Sequence, residues 1–243
     1  MATPIDDFLN QIVEGYLFED LDNMATIKLT PGKNAGAAGY PMVASVNSGI
    51  ELLGTLLSPT PYNPKNGNEY FCNYWQQILA PFSNKYSLKG LDKLVYNLVR
   101  HGIAHTFATK VGVLVTKGAE HLHLNIDTTI PQIHIDAVRY YQDLKKSYFK
   151  YFIPLLATQR SAMQARLAEL ITVYEKDSNN FFNKLPANKH LLLWSQQSMS
   201  NLTAQIQASG ASTPWGRVSP TSTTSFPTAS GINTITQLPS GQP

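Results

Sequence analysis

Apolar residues recur at helical spacing through most of the first 207 positions. Ile5, Phe8, Leu9, Ile12, Val13 and Tyr16 form one stripe, as expected where residues three and four apart share a face. Thr3 is a natural cap before it, and Pro4 suits a first helical turn. A second helix over about 41–57 carries Val43, Val46, Ile50, Leu53 and Leu57. The three prolines of 58–67 (SPTPYNPKNG) end it. A third helix over 68–83 carries Phe71, Tyr74, Trp75, Ile78 and Phe82, and a fourth over 88–106 carries Leu91, Leu94, Val95, Leu98 and Val99. The period then changes. Residues 111–116 (VGVLVT) and 120–126 (EHLHLNI) read as strands flanking Lys117-Gly118, a hairpin signal. Helical spacing resumes with Ile135, Val138, Tyr141, Leu144, Tyr148 and Phe152, with an interruption or kink expected at Pro154. Met163, Leu167, Leu170 and Tyr174 mark a further helix, and a last one is expected over 188–207. The fold class this predicts is mainly α: a helical bundle with one small β-hairpin inserted after the fourth helix.

Composition sharpens the picture. Of 243 residues, 43% are hydrophobic and 14% charged, enough apolar material for a core and too little charge for a charge-extended chain. The segment 208–243 is different: fourteen of its residues are Ser or Thr, five Pro and four Gly, and Arg217 is its single charge. It is expected to be a disordered tail beside a helical domain at 1–207. One cysteine, Cys72, excludes a disulfide framework and a multi-cysteine zinc site. No apolar run is long enough for a transmembrane helix, and the acidic N-terminus lacks the layout of a secretory signal. A cytoplasmic protein without a membrane partner is expected. The Gly-rich stretch TPGKNAGAAGY (30–40) lacks the GK[ST] of a phosphate-cradling loop.

Charge is segregated. Residues 1–22 hold six acids and no Lys or Arg, whereas 85–189 hold fifteen Lys or Arg against eight Asp or Glu. A basic middle suits an anionic partner, although solvated helix faces give the same count.

Candidate chemistry concentrates in Tyr96–Phe107, YNLVRHGIAHTF. Arg100, His101 and His105 end an otherwise apolar helix, with the helix-weakening Gly102 between them. Three readings compete. Arg100 and His105 can act on a phosphodiester: imidazole is a base near neutral pH, and guanidinium binds phosphate oxygens through a planar fork. RNA brings its own nucleophile, the 2′-hydroxyl. Positions five apart lie about 140° apart on an ideal helix, so a distorted turn or a second copy across a dimer axis is needed. Alternatively, His101 and His105 form an H-x-x-x-H pair for a divalent metal, completed by His121 and His123 of the hairpin, although no acid occupies the helix between them. Thirdly, all are structural, paired within the core. Glu51, in the apolar GIELLGTLL, is the candidate partner that orients Arg100.

The run Arg100-His101-Gly102-Ile103-Ala104-His105 resembles the Arg-x4-6-His signature of the HEPN superfamily, in which a polar residue commonly follows the arginine. The likeness extends through Phe107 and, in the order GIELLGTLL, FCNYW, R-x-G-x-x-H and a short hairpin, covers about residues 40–155. The resemblance implies a metal-independent endoribonuclease that needs no cofactor, works as a homodimer and leaves 2′,3′-cyclic phosphate and 5′-hydroxyl ends, often in toxin–antitoxin, defence or RNA-processing systems. It implies Arg100 and His105 as the catalytic pair, with His101 at the intervening polar position, and an antitoxin or other protein as a possible partner. Members without activity serve as protein- or RNA-binding modules. The surfaces expected to meet RNA are Lys110, Lys117, Arg139 and Lys146; Lys145 and Lys150 lie on the same helix as the last two. Tyr140, Tyr141, Tyr148 and Tyr151 interleave with them. Cations beside aromatics suit single-stranded RNA, and the same tyrosines at helical spacing suit a core.

Overall fold

A computed structural model describes residues 3–31, 36–106, 109–127 and 129–184, without the side chains of 104–106 and 181–184. The chain divides into two units, Met1–Asn188 and Lys189–Pro243, and every described residue belongs to the first. The helix expected over 188–207, the expected tail over 208–243 and Phe107 lie outside the described residues.

Helix α1 spans residues 4–26, with a π-helical middle at Leu9–Phe18. Its start is tied by the Asp6 carboxylate, which accepts from both the N–H (3.0 Å) and the Oγ1 (2.8 Å) of Thr3. Arg160 donates to the same carboxylate at 2.7 Å. Helix α2, Gly39–Leu56, is the centre of the bundle: Val43, Val46, Ile50 and Leu53 are all fully buried. Helix α3 (residues 67–82) has a π-helical turn at Trp75–Leu79, and helix α4 (residues 91–106) has one at Tyr96–Arg100. The α4 stripe starts at Leu91 rather than 88 because Gly90 takes a left-handed φ of 81°, which stops a helix from running through it. Helices α2 and α3 cross so closely that a Cβ at Gly54 would sit 1.8 Å from the Tyr70 carbonyl oxygen. Only glycine fits there.

The β element differs from the expected hairpin. Strands β1 (Val113–Thr116), β2 (Ile126–Asp127) and β3 (Gln132–Asp136) form a sheet in the order β1-β3-β2. β1 runs parallel to β3, with Val113 opposite Ile133 and Thr116 opposite Asp136, and β2 pairs antiparallel to β3. Lys117-Gly118 does turn the chain, with Gly118 at φ 94°. The segment after it does not return as a strand: Glu120–Leu122 is a 3₁₀ turn and Leu124 is left-handed at φ 59°. β1 instead pairs with the run QIHID, whose Ile133 and Ile135 are buried. Asp136 ends that strand and caps the next helix, accepting from Arg139 N–H at 3.0 Å and Ala119 N–H at 2.7 Å. Ile135 shares helical spacing with Val138, so the alternation was masked by the following helix.

Helix α5 (residues 137–184) passes through Pro154 without a break. A π-helical turn at Tyr148–Phe152 lies directly ahead of it, where the Ile153 N–H reaches the Tyr148 carbonyl. The wider turn relieves the clash an α-helical carbonyl would make with the proline ring. The helix departs from helical geometry at Gln159 instead (φ −115°, ψ 17°). Among the described residues no helix is long and apolar enough to cross a membrane.

Candidate functional site

Glu51 lies on α2 one turn before the Gly54 crossing, so the closest contact of the bundle fixes its height. Arg100 lies at the end of the π-helical turn of α4. That turn inserts an extra residue between Tyr96 and His101, whose N–H bonds to the Tyr96 carbonyl. The insertion rotates Arg100 away from the register of Leu91 and Val95, which stay in the core. The two side chains meet: Arg100 Nε donates to Glu51 Oε2 at 2.8 Å. Both remain reachable, with 28% and 24% of their side chains exposed. The carboxylate is hemmed in behind, because a Cβ at Gly67 would lie 2.6 Å from Glu51 Oε1 and 3.1 Å from the Tyr96 hydroxyl. Burial, followed by the nearby Glu51 charge, raises the Tyr96 phenol above its ordinary pKa.

The ion pair forms one wall of a cleft of about 240 Å³. Ser48, Leu52 and Thr55 of α2 continue that wall. Opposite are Tyr62 and Pro64 from the proline-rich loop, Tyr70 from α3, and Leu170 and Tyr174 from α5. Tyr62 stacks on Tyr70 with centroids 5.8 Å apart and meets Tyr174 edge-on at 6.2 Å. The loop is held in place by the Tyr62 N–H, which donates to Glu169 Oε2 at 2.8 Å, and Glu169 is itself paired with Arg166 at 2.7 Å. Burial raises the Tyr62 phenol well above its ordinary range, with Tyr174 and Glu51 adding to the shift. It therefore stays protonated, with its hydroxyl directed at Tyr174.

The other expected site residues are dispersed. His101 is exposed and shares the turn after Arg100. The backbone at His105 continues α4 as α-helix, so positions 100 and 105 keep their separation of about 140°; the π-turn ends before the interval. The side chain of His105 lies outside the described residues. Lys110 and Lys146 are exposed. Lys117 is committed elsewhere: its ammonium donates to the carbonyls of Met24 (2.7 Å), Ile27 and Ala37 (2.9 Å). Three N–H groups meet three carbonyls, which leaves none for a phosphate, and burial lowers its pKa. This clamp holds the approach to α2, where Ala37 and Ala38 adopt left-handed φ of 52° and 62°. Arg139 pairs with the fully buried Asp143, Nε to Oδ1 at 2.9 Å, without the alignment of a hydrogen bond. Tyr140, Tyr141 and Tyr148 are buried core residues, anchored through their hydroxyls to Asn47, Asp22 and Glu14. They present no stacking surface to a partner.

Among the described residues, the histidines of the metal reading do not assemble. His123 is 1% exposed and both its ring nitrogens are engaged. Nδ1 accepts from the Asp136 N–H at 3.2 Å, so Nε2 carries the proton and donates to the Tyr86 hydroxyl at 3.0 Å. Tyr86 passes its own proton donor to Asp143 Oδ2 at 3.0 Å. Among the described residues, no three or more His, Cys, Asp and Glu are grouped to hold a metal ion.

Sequence reasoning named Arg100 and Glu51 but missed the aromatic wall. Tyr62 stands in a loop with no periodicity, and Tyr174 ends an apolar stripe that reads as core. Nothing local brings 62 and 174 together; α5 does so across the bundle. Comparison with known proteins adds nothing to this geometry: no family model, no curated protein and no solved structure matches the chain.

Proposed function

We propose that the chain is a metal-independent endoribonuclease acting in the cytoplasm as a homodimer. The observation that carries this reading is Arg100, held by Glu51 at the wall of an open, aromatic cleft, five positions from a histidine on the same helix. A guanidinium anchored through Nε still has two terminal nitrogens with which to fork a phosphate. Oriented cations of this kind stabilise charge that builds on the phosphorane. His105 supplies the base. It takes the proton of the RNA 2′-hydroxyl, the 2′-oxygen attacks phosphorus, and the bond from phosphorus to the 5′-oxygen breaks as that oxygen takes a proton from water. The products are a 2′,3′-cyclic phosphate and a 5′-hydroxyl. Because 100 and 105 face about 140° apart on one helix, the pair that acts on one phosphate comes from two copies of α4 across a two-fold axis. His101 positions rather than reacts. An antitoxin-like protein that covers the cleft would restrain the activity, as the HEPN resemblance suggests.

A second reading has its own support. Glu51 already occupies the Nε edge of Arg100, which suits a non-catalytic RNA- or protein-binding module.

The test is cleavage of labelled RNA by the full chain in EDTA, with Arg100→Ala and His105→Ala alongside. Cleavage that survives chelation, is lost in each variant, and fails on RNA deoxy at the scissile ribose supports the nuclease. Mixing the two inactive variants separates one copy from two. If each site takes Arg100 from one subunit and His105 from the other, half the dimers are mixed and each regains one of two sites, restoring about a quarter of the activity. No recovery rejects the shared site. RNA retained without cleavage supports the module.

A further inference from the structure

The cleft beside Arg100 contains more than a phosphate site requires. A phosphate needs only cations and N–H donors, yet the wall opposite the ion pair is built of aromatic rings, and the carboxylate of Glu51 repels anions. The aromatic wall is also open: Tyr174 is 47% exposed at the rim, while Tyr70 behind it is fully packed. Tyr62 is locked between the two by stacking and by its backbone bond to Glu169. The rings are therefore pre-organised before any ligand arrives. The volume, about 240 Å³, is below the roughly 300–1,000 Å³ of pockets for drug-sized ligands. It takes one ring system and excludes a base pair.

We infer that this cleft is a nucleobase slot, taking one unpaired base that bears an exocyclic amino group, stacked on the exposed ring of Tyr174 with its edge toward Tyr62, and with its flanking phosphate on Arg100. Stacking supplies the affinity, as it does for single-stranded nucleic acid generally. Glu51 supplies the selection: a carboxylate accepts from the amino group of cytosine and repels the carbonyl that uracil carries at the same place. The inference rests on RNA as the ligand proposed above, but it concerns binding and stands apart from cleavage.

The experiment is fluorescence anisotropy of the full-length His105→Ala protein with labelled short oligocytidylate and oligouridylate, in EDTA, and with cytidine monophosphate and inorganic phosphate as competitors. The expected result is tighter binding of the cytidylate by about tenfold, and weaker binding by about tenfold in Tyr174→Leu, with Tyr174→Phe unchanged. Tyr174 is on the rim, so its replacement leaves the core intact. In Glu51→Gln the cytidylate preference shrinks. Equal binding of the two oligomers, or an indifferent Tyr174→Leu, overturns the slot. Competition by inorganic phosphate as effective as by the nucleotide also overturns it. A mononucleotide that matches the oligomer assigns the slot to a free nucleotide and overturns RNA as its source. If the slot behaves as expected while the wild-type chain leaves RNA intact, the nuclease reading fails alone. If RNA is cleaved and Tyr174→Leu binds normally, the slot fails alone.

Discussion

Acid lability of this fold should trace largely to one imidazole. His123 is buried between Tyr86 and Tyr140, with Tyr140 tilted against its ring at 5.4 Å. Burial, then the cations of Lys85 and Arg139, pushes its pKa down to about 3. The one acid in its chain of bonds, Asp143, is separated from it by the Tyr86 hydroxyl and already faces Arg139. An unfolded histidine titrates near 6.5. Above that pH both states are neutral and the group is silent. Between 6.5 and 3 the unfolded chain takes a proton that the folded chain refuses, so stability falls as pH falls, by about 1.4 kcal/mol per unit. From pH 7.5 to pH 5 the loss is about 2 kcal/mol, a sizeable share of a typical 5–15 kcal/mol. His123→Gln keeps an N–H for Tyr86 and removes the titration. It gives up the acceptor for the Asp136 N–H, costing about 1–3 kcal/mol at neutral pH. Urea unfolding of both proteins between pH 7.5 and 5 measures the difference; other histidines are common to both and cancel. The gap between them should narrow by about 2 kcal/mol on acidification. Parallel curves would show that the imidazole is hydrated or already charged in the fold, and the argument would be wrong.

Other expectations are more local. Gly54→Ala drives a methyl group into the backbone of Tyr70; it should destabilise by about 3 kcal/mol or more, seen as a fall in Tm of roughly 6–12 °C. Lys117→Met strands three carbonyls and should lower stability by about 1–3 kcal/mol while leaving RNA affinity of the folded protein unchanged; a selective loss of RNA binding would return Lys117 to the ligand surface. Asp6, whose pKa falls to about 2 through its hydrogen bonds with Arg160 and Thr3, adds stability that is full above pH 4 and disappears as pH drops through 2. The melting temperatures of Asp6→Asn and the parent should therefore converge over that interval, and a constant offset would contradict the pairing.

The helices were legible because each buries a stripe whose spacing survives in the sequence. Val43, Val46, Ile50 and Leu53 name the buried face of α2 without ambiguity. The sheet was half legible. Lys117-Gly118 signalled a turn, but a two-strand hairpin is the local solution, and the chain takes a non-local one, placing β1 beside β3 across an intervening loop. Period-two alternation names strands, not their partners. The basic residues show the same limit. Lys117 and Arg139 read as solvent-facing cations, yet one fastens three carbonyls and the other faces a buried carboxylate. A sequence gives the charge of a side chain, and only the packing around it decides whether that charge is available to a ligand.

Glu51 and Arg100 were paired from the sequence by asking what a carboxylate in an apolar helix needs. What could not be read is why the pair sits in a cleft rather than a core. Three features converge there. Gly54 brings α3 against α2, Gly67 leaves room for the carboxylate at the start of α3, and the π-turn of α4 swings Arg100 out of the Leu91–Val95 face. Gly54 is demanded by the close crossing itself, whereas Gly67 and the π-turn are departures from regular helix that the packing of the core does not require. Their coincidence at one ion pair, under an aromatic wall that α5 completes, is the strongest physical reason to look for ligand chemistry here. It also explains how the site would respond to mutation. Gly67→Ala touches only the carboxylate and the Tyr96 hydroxyl, both of which can shift, so it should disturb the Arg100 geometry with little loss of stability. Gly54→Ala meets backbone and should unsettle the whole bundle.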